Sequence, residues 1–443
     1  MSDFSFSESQ LQQLAAQVLD QARTQGATAA DVEISESVGQ NVSVRLGEVE
    51  TIEYNRDKGV GVTVYLGQRK GHASTSDFSA QALADTVHAA LAIARYTAED
   101  PFAGLPDQAA LATVFPDLDL FHPWDLSVEG AIELARDCEQ AAREVDARIR
   151  NSDGGSLSTH ASRWVYANSL GFSGGGSGTR YSLSAAVIAE EHGAMQRDYW
   201  YSATRDPADL ESAASVGRKA GERTVRRLGA RRCKTGEYPV LFEASVASSL
   251  LSHWVSAVSG SSLYRKSSFL LDSVGTQVFS PCVEIVEDPF LKKGLASGGF
   301  DAEGVATRRR DIVRAGVLDG YFLSSYSARK LGMVSTGNAG GPHNLLVKPT
   351  ASFDALLAQL GTGVLVTELL GHGINLVTGD YSRGAAGFWV ENGVIQYPVE
   401  EITVAGNLRD MFRDIVGIGD DVLTSSSRRV GSILVGKMTV AGE

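Results

Sequence analysis

The stretch Leu241–Gly260, LFEASVASSLLSHWVSAVSG, restricts the possible folds of this chain most. Val246, Leu250, Leu251, Trp254, Val255 and Val258 recur at helical spacing with Ala and Ser between them, so the segment reads as a helix buried on most sides. Gly260 is placed to end it. A buried helix set among strands can carry a hydrolytic zinc site when two His stand one turn apart with a Glu beside the first as general base. This turn offers Ser252, His253, Trp254 and Ala257 instead. One imidazole without a second ligand does not hold zinc, which leaves two readings: plain core, or a metal-site helix without its metal.

At 443 residues the chain suits two or three domains. No run approaches the 18 or so apolar residues of a membrane span, and MSDFSFSESQ lacks the basic and apolar regions of a signal peptide. These features place the protein in the cytoplasm. Cys138, Cys233 and Cys282 are widely spaced with no CxxC pair, which argues against a disulfide framework. The net charge of -13 argues against attraction to nucleic-acid phosphates. The basic runs Arg226-Arg227, Arg231-Arg232 and Arg308-Arg309-Arg310 read as solvated faces or boundary residues. Forty-seven Gly against 11 Pro point to many tight turns and a β-rich chain.

The spacing predicts a helix over 8–25 with a Ser7/Gln10 capping box, then three strands around Val32–Ile34, Val42–Leu46 and Val60–Leu66, with turns at Gly47-Glu48 and Gly67 to Gly71. Strands this close in sequence form an antiparallel meander. Helices are expected over about 80–96, 128–145 and 210–228, with strands at 163–168 and 181–190. From Tyr238 onward short apolar runs alternate with Gly-rich turns, and Asn392-Gly393 is a strong hairpin signal. The fold class is therefore α+β. An N-terminal domain over 1–230, with subdomains of about 1–100 and 126–230, carries an antiparallel sheet and helices; residues 231–443 form a β-rich, barrel-like domain.

Few residues suggest chemistry. Gly171–Gly175 fits GxSxG around Ser173, but a strand follows where a nucleophile elbow needs a helix, so it reads as a glycine-rich hairpin. The His at 72, 88, 122, 160, 192, 253, 343 and 372 form no sequence-local metal pair. Glu368 and His372 are a weak ligand pair at helical spacing. Asp380 reads as turn chemistry.

Longer strings carry a resemblance. Asp301–Thr307, Gly316–Leu318 and Ser324–Asn338 (SSYSARKLGMVSTGN), with Gly371–Asn375, Thr378–Ser382, Gly387–Gly393 and Ile402–Leu408, resemble the signatures of the TldD/PmbA metalloprotease family. Asp31–Tyr54 and Gly59–Phe78 are similar to its N-terminal domain, and the whole is nearest the PmbA (TldE) branch. The resemblance implies a cytosolic TldD–TldE heterodimer that degrades unfolded or flexible peptides, with antitoxins and a microcin precursor among its substrates, and an older designation as a modulator of DNA gyrase. In the TldD branch zinc is held by an HExxxH helix and a late Cys. Carried across, the first ligand falls on Ser252, the general base on His253, the second ligand on Ala257 and the Cys near Gly419-Asp420.

None of these residues can do the family's metal work, so the resemblance implies a subunit with no catalytic, cofactor-binding or metal residues of its own, beside a zinc-bearing TldD-like partner. Extended peptides are the expected substrates, and the isolated chain could form a homodimer. Direct nucleic-acid binding and membrane association are not expected. Two alternatives stand: a metalloprotease in its own right drawing ligands from His343 and His372, or a non-proteolytic regulator of gyrase or of an RNA-binding regulator.

Overall fold

The computed structural model describes residues 4–443; Met1–Asp3, which head the MSDFSFSESQ stretch, lie outside the described residues. The Ser7/Gln10 capping box opens α1 (Glu8–Thr24), which buries Leu11, Ala15 and Val18. Next come β1 (Ala29–Arg45), β2 (Glu48–Leu66), β3 (Arg69–Thr75) and α2 (Ala80–Tyr96). The two short strands expected around Val32 and Val42 are one long β1, because its extended backbone stays paired with β2 and β4 through the polar stretch from Ser35 to Asn41. The turn after β2 is confined to Gly67 and Gln68, and Gly71 lies inside β3, where a Cβ would stand 2.0 Å from the carbonyl oxygen of Ala90. After a loop come α3 (Val128–Arg143), β4 (Ile149–Asn168), β5 (Ser173–Glu191), β6 (Ala194–Thr204) and α4 (Ala213–Arg226).

All six strands form one antiparallel sheet in the order β3-β2-β1-β4-β5-β6. α1 and α2 pack on Val32, Ile34 and Val60–Val64. α3 and α4 pack on Val42, Val44, Leu157 and Leu183. Period-2 alternation puts Val32 and Val42 on the same face, so the helix pairs lie side by side on one surface.

The second half opens with β7 (Gly236–Phe242), α5 (Ala244–Ala257) and the short α6 (Gly260–Tyr264). It continues through β8 (Ile285–Asp288), β9 (Arg310–Arg314), β10 (Val317–Leu318), α7 (Ser325–Leu331), β11 (Asn344–Val347) and α8 (Phe353–Leu360). It ends with β12 (Gly363–Leu370), β13 (Asp380–Glu391), β14 (Val394–Asn407), α9 (Leu408–Arg413), β15 (Ile415–Ile418), β16 (Arg428–Arg429) and β17 (Ile433–Ala441). The order β14-β13-β12-β7-β17, closed by β14 pairing back onto β17, makes a five-stranded barrel with β15 added on β17. Asn392 and Gly393, both at positive φ, form its two-residue β13–β14 turn, as the pair predicts. A second sheet runs β10-β9-β8-β11-β16.

Alternation along the barrel strands sorts the cores. Val240, Phe242, Val364, Val366, Ile433 and Val435 join a core that includes α5 and the second sheet, while Leu241, Leu365 and Leu434 meet α8 on the other side. The two halves meet at the aromatic ring of Phe300, which packs on Trp164 and Phe172 at 5.3 and 5.1 Å.

They also meet through arginines of α4, of which Arg227 belongs to a run read as a solvated face or boundary residues. Arg227 is buried: it pairs with Glu368 of β12 at 2.6 Å and lies 3.8 Å from Asp198 of β6. Arg223 bonds Glu243 at 2.8 Å and Asp198 at 3.4 Å. Arg310 likewise lies inside, 2.8 Å from buried Glu287. Burial demands a counter-charge, and the opposing carboxylates come from elements distant in sequence. Replacing Arg223 by Ala leaves Asp198 without its nearest cation, and we expect a loss of about 3 to 5 kcal/mol in urea unfolding, whereas Arg232→Ala, on an exposed ion pair, costs at most about 1 kcal/mol.

Candidate functional site

The site is organised by α5. β7 delivers the chain to Glu243, the N-cap, whose carboxylate takes a bond from Arg223 and another from the Ser245 hydroxyl at 2.5 Å. The amide of Ala244 donates to Ser432 Oγ, and Ser432 in turn donates to Asp421 at 2.6 Å, so the head of α5 is tied to the loop after β15. On one side Trp254 sits edge-on to Phe279 and Phe322 at 5.5 and 5.8 Å. The helix ends at Ala257 rather than Gly260; Gly260 opens α6, where a Cβ would stand 2.2 Å from the Ser327 hydroxyl.

The other side holds Ser248, Ser249, Ser252, His253 and Ser256, all half-buried. The hydroxyls of Ser252 and Ser256 donate to the carbonyls of Ser248 and Ser252, both at 2.9 Å. Ala257 is fully buried and offers a methyl group. His253 stands edge-on to Tyr381 of β13 at 6.0 Å, and its Nε2 has no partner among the described residues. Burial, with the Arg383 charge adding to it, pushes the His253 pKa below its ordinary value, so the ring is neutral near pH 7. The hydroxyls of Tyr381 and Thr367 also lack partners, and burial pushes the phenol up. Ser245, Val246, Ser249, Thr367 and Arg383 line a cleft of about 280 Å³ beside Tyr199 and Tyr201 of β6.

These donors do not fit zinc. The helix presents one neutral imidazole and two self-bonded hydroxyls, with no carboxylate to deprotonate water. At the position of the late Cys, a Cβ on Gly419 would meet Asp421 Oδ1 at 2.2 Å, and Asp421 is already engaged by Ser432. Among the described residues no three His, Cys, Asp or Glu side chains gather as a metal site. His343 lies beside β11, with Nδ1 3.0 Å from Glu287, and His372 is exposed in the turn between β12 and β13.

Glu368 and His372 are not a helical pair: Glu368 belongs to a strand and faces Arg227. Ser173 begins β5 after a hairpin. Asp380 accepts from the Thr378 hydroxyl at 2.6 Å and from Asn407, which is turn chemistry. Thr367, Tyr381 and Arg383 escaped the residue-by-residue reading. The alternation of β13 could have pointed Tyr381 inward, but nothing local names its neighbour.

A five-stranded barrel whose first strand feeds a buried helix, joined to a six-stranded antiparallel sheet, is the architecture of the PmbA- and TldE-like proteins. The crystal structure of a protein described as a modulator of DNA gyrase, from Bacteroides thetaiotaomicron, has a TM-score of 0.93 at 31% identity, over 98% of this chain and 99% of that one. TldE from Thermococcus kodakarensis shares the fold, with a TM-score of 0.84 at 18% identity over 97% and 100%. Metalloprotease PmbA of Escherichia coli O157:H7 is 52% identical over 94% of this chain and 92% of its own length. The Metalloprotease PmbA homolog of Haemophilus influenzae is 48% identical over 98% and 97%. The PmbA/TldA metallopeptidase domain 1, central domain and C-terminal domain match residues 30–94, 121–228 and 235–442. The chain belongs to the PmbA/TldD metallopeptidase family.

Two outcomes follow from the unpaired groups. Tyr381→Phe removes a hydroxyl that has no bond to lose, so urea unfolding is expected to change by less than about 1 kcal/mol, in either direction. His253 resists protonation when folded, so its contribution is complete above its ordinary value of 6.5 and falls away as the pH drops below it. Thermal unfolding measured from pH 7.5 down to 5 should lose stability less steeply in His253→Asn than in the parent.

Proposed function

We propose that this chain is the PmbA/TldE-type subunit of a TldD–TldE metalloprotease acting on unfolded peptides, peptide precursors or antitoxins, and that it cuts nothing itself. The observation that carries the reading is the donor set of α5: Ser252, His253 and Ala257 hold no metal and activate no water. In this reading residues 1–230 form an α+β arm, and residues 231–443 meet the corresponding domain of a TldD-like subunit. The His253 side of α5, with Tyr381 and Arg383, borders the space closed around the partner's zinc. The unpaired polar groups there, His253 Nε2 and the hydroxyls of Tyr381 and Thr367, supply hydrogen bonds to an extended chain without demanding a sequence. A cytoplasmic location accords with three free cysteines and with the absence, among the described residues, of a helix long and apolar enough to cross a membrane.

The test measures cleavage of an unfolded peptide and bound zinc for this chain alone, a TldD-type partner alone, and the two together. We expect under about a tenth of an equivalent of zinc in this chain alone, as one imidazole without further ligands implies, no cleavage by it, and cleavage by the pair. Chelator-sensitive cleavage by the lone chain refutes the reading. Capture of gyrase with no TldD-like chain present would favour the regulatory alternative, which the description of the Bacteroides protein suggests.

A further inference from the structure

β6 covers the outer edge of β5 only from Tyr181, paired with Thr204, to Glu191. Just before that reach the edge is held at Thr179, whose amide donates to the Leu120 carbonyl at 2.9 Å and whose carbonyl accepts from Arg205 at 3.2 Å. Successive residues of an antiparallel strand turn their amide and carbonyl to opposite sides, so Ser177 and Gly175 point the same way as Thr179, away from β4. Among the described residues nothing bonds these two amides and two carbonyls on that side. They border a cleft of about 510 Å³ between β5, residues 115–121 and residues 297–300. An edge set inside a cleft is shielded from a whole sheet but admits a single extended strand.

The glycines that follow Ser173 shape the space. Gly176 pairs with Trp164 of β4 and lies on the same face of the sheet. A Cβ on Gly174 would stand 2.8 Å from the Phe300 ring, whereas one on Gly176 would meet nothing within 4 Å. Trp164 and Phe300 stand beside that open space, and Phe115, 51% exposed, lines the same cleft. Of the charged groups around it, Arg205 is held by the carbonyls of Thr179, Gly294 and Leu295, Asp117 pairs with Lys292 at 3.0 Å, and Asp119 stands 3.2 Å from His122. Glu8, bonded only to Gln12, meets no cation among the described residues, so the unbalanced charge is negative.

We propose that this cleft binds one extended peptide segment, an apolar residue between basic flanks, by strand addition. The guest lies antiparallel to β5, makes four backbone hydrogen bonds with Gly175 and Ser177, and sets the side chain opposite Gly176 beside Trp164 and Phe300, because facing residues share a face. Backbone bonds and a side-chain floor of glycine accept many sequences, provided the chain is extended. The proposal rests on the peptidase reading only for the source of the guest, a substrate chain held away from the place of cutting.

Titration of fluorescein-labelled Lys-Thr-Val-Phe-Val-Thr-Lys with the full chain alone, read by anisotropy, tests the site. We expect a Kd of about 10 to 100 micromolar. Replacing the central Phe by Ala, or N-methylating both Val residues, should each weaken binding about tenfold, the first through lost apolar contact and the second through lost backbone bonds. Gly176→Val, which fills the open space with no atom within 4 Å of its new Cβ, should weaken it at least about tenfold with the thermal unfolding midpoint kept. Hydrogen exchange should slow over residues 173–178 when the peptide is added. No binding, equal binding of the N-methylated peptide, or binding unchanged in Gly176→Val would overturn the proposal. So would protection of residues 173–178 that arises only on adding a TldD-type subunit, which would give the edge to that partner. A lone chain that does not bind, beside a pair that cleaves, removes this site alone; a lone chain that binds, beside a pair that does not cleave, removes the peptidase reading alone.

Discussion

Enclosure of one helix is the constraint on which the second half of this protein rests. α5 leaves the barrel through Phe242 and is covered by residues of the barrel, the second sheet and the loop bearing Phe279. Trp254 is its pivot: the ring is fully buried against Phe279 and Phe322, and its indole nitrogen has no hydrogen-bond partner among the described residues. Leaving a donor unsatisfied costs free energy, so the packing of that ring has to outweigh it. Arg223 and Arg227 fix the helix from outside, because their counter-charges Glu243 and Glu368 sit at the N-cap of α5 and on the strand beside it. The N-terminal half is thus bound to the position of α5 by charges it cannot release cheaply into a dry interface.

The chemistry of the site follows from the same enclosure. A helix buried on one side and serine-rich on the other can satisfy its hydroxyls through its own carbonyls, as Ser252 and Ser256 do. What remains is a neutral His253, a phenol and a guanidinium at the edge of a cleft, groups that can hold a chain by hydrogen bonds but cannot generate a hydroxide nucleophile unaided. At the places where the resemblance would put metal ligands, Ser252 bonds a carbonyl of its own helix, Ala257 offers a methyl group, and Asp421 beside Gly419 is engaged by Ser432.

Local rules carried further in some places than others. The Ser7/Gln10 cap and the Asn392-Gly393 turn follow from side chains within a few residues, and each stands in the structure where the sequence places it. Apolar alternation alone predicts two short strands in place of β1, whereas Ser35 and Ser37 hold the same extended backbone. Within the arginine runs Arg226, Arg231, Arg232, Arg308 and Arg309 are exposed as expected, and Arg227 departs for a different reason. Exposure is the common fate of charge, and only the approach of Asp198, Glu243 and Glu368 makes burial of Arg223 and Arg227 affordable. Glu368 and His372 looked helical because spacing alone does not separate a helix from a strand and its turn.

The sequence by itself settled the class: an α+β chain with a β-rich second half, a buried helix within Leu241–Gly260, and an order of motifs that identifies the family. It also settled what α5 lacks, since a missing imidazole or carboxylate is a matter of composition and no folding supplies it. Tertiary structure decided everything that depends on meeting at a distance: closure of the barrel by β14 on β17, the edge-on approach of Tyr381 to His253, and the length of β5 that β6 leaves uncovered. Those contacts join residues far apart in the chain. Local propensity and periodicity extend over a turn or a strand, and beyond that range the burial of the whole core selects the pairing.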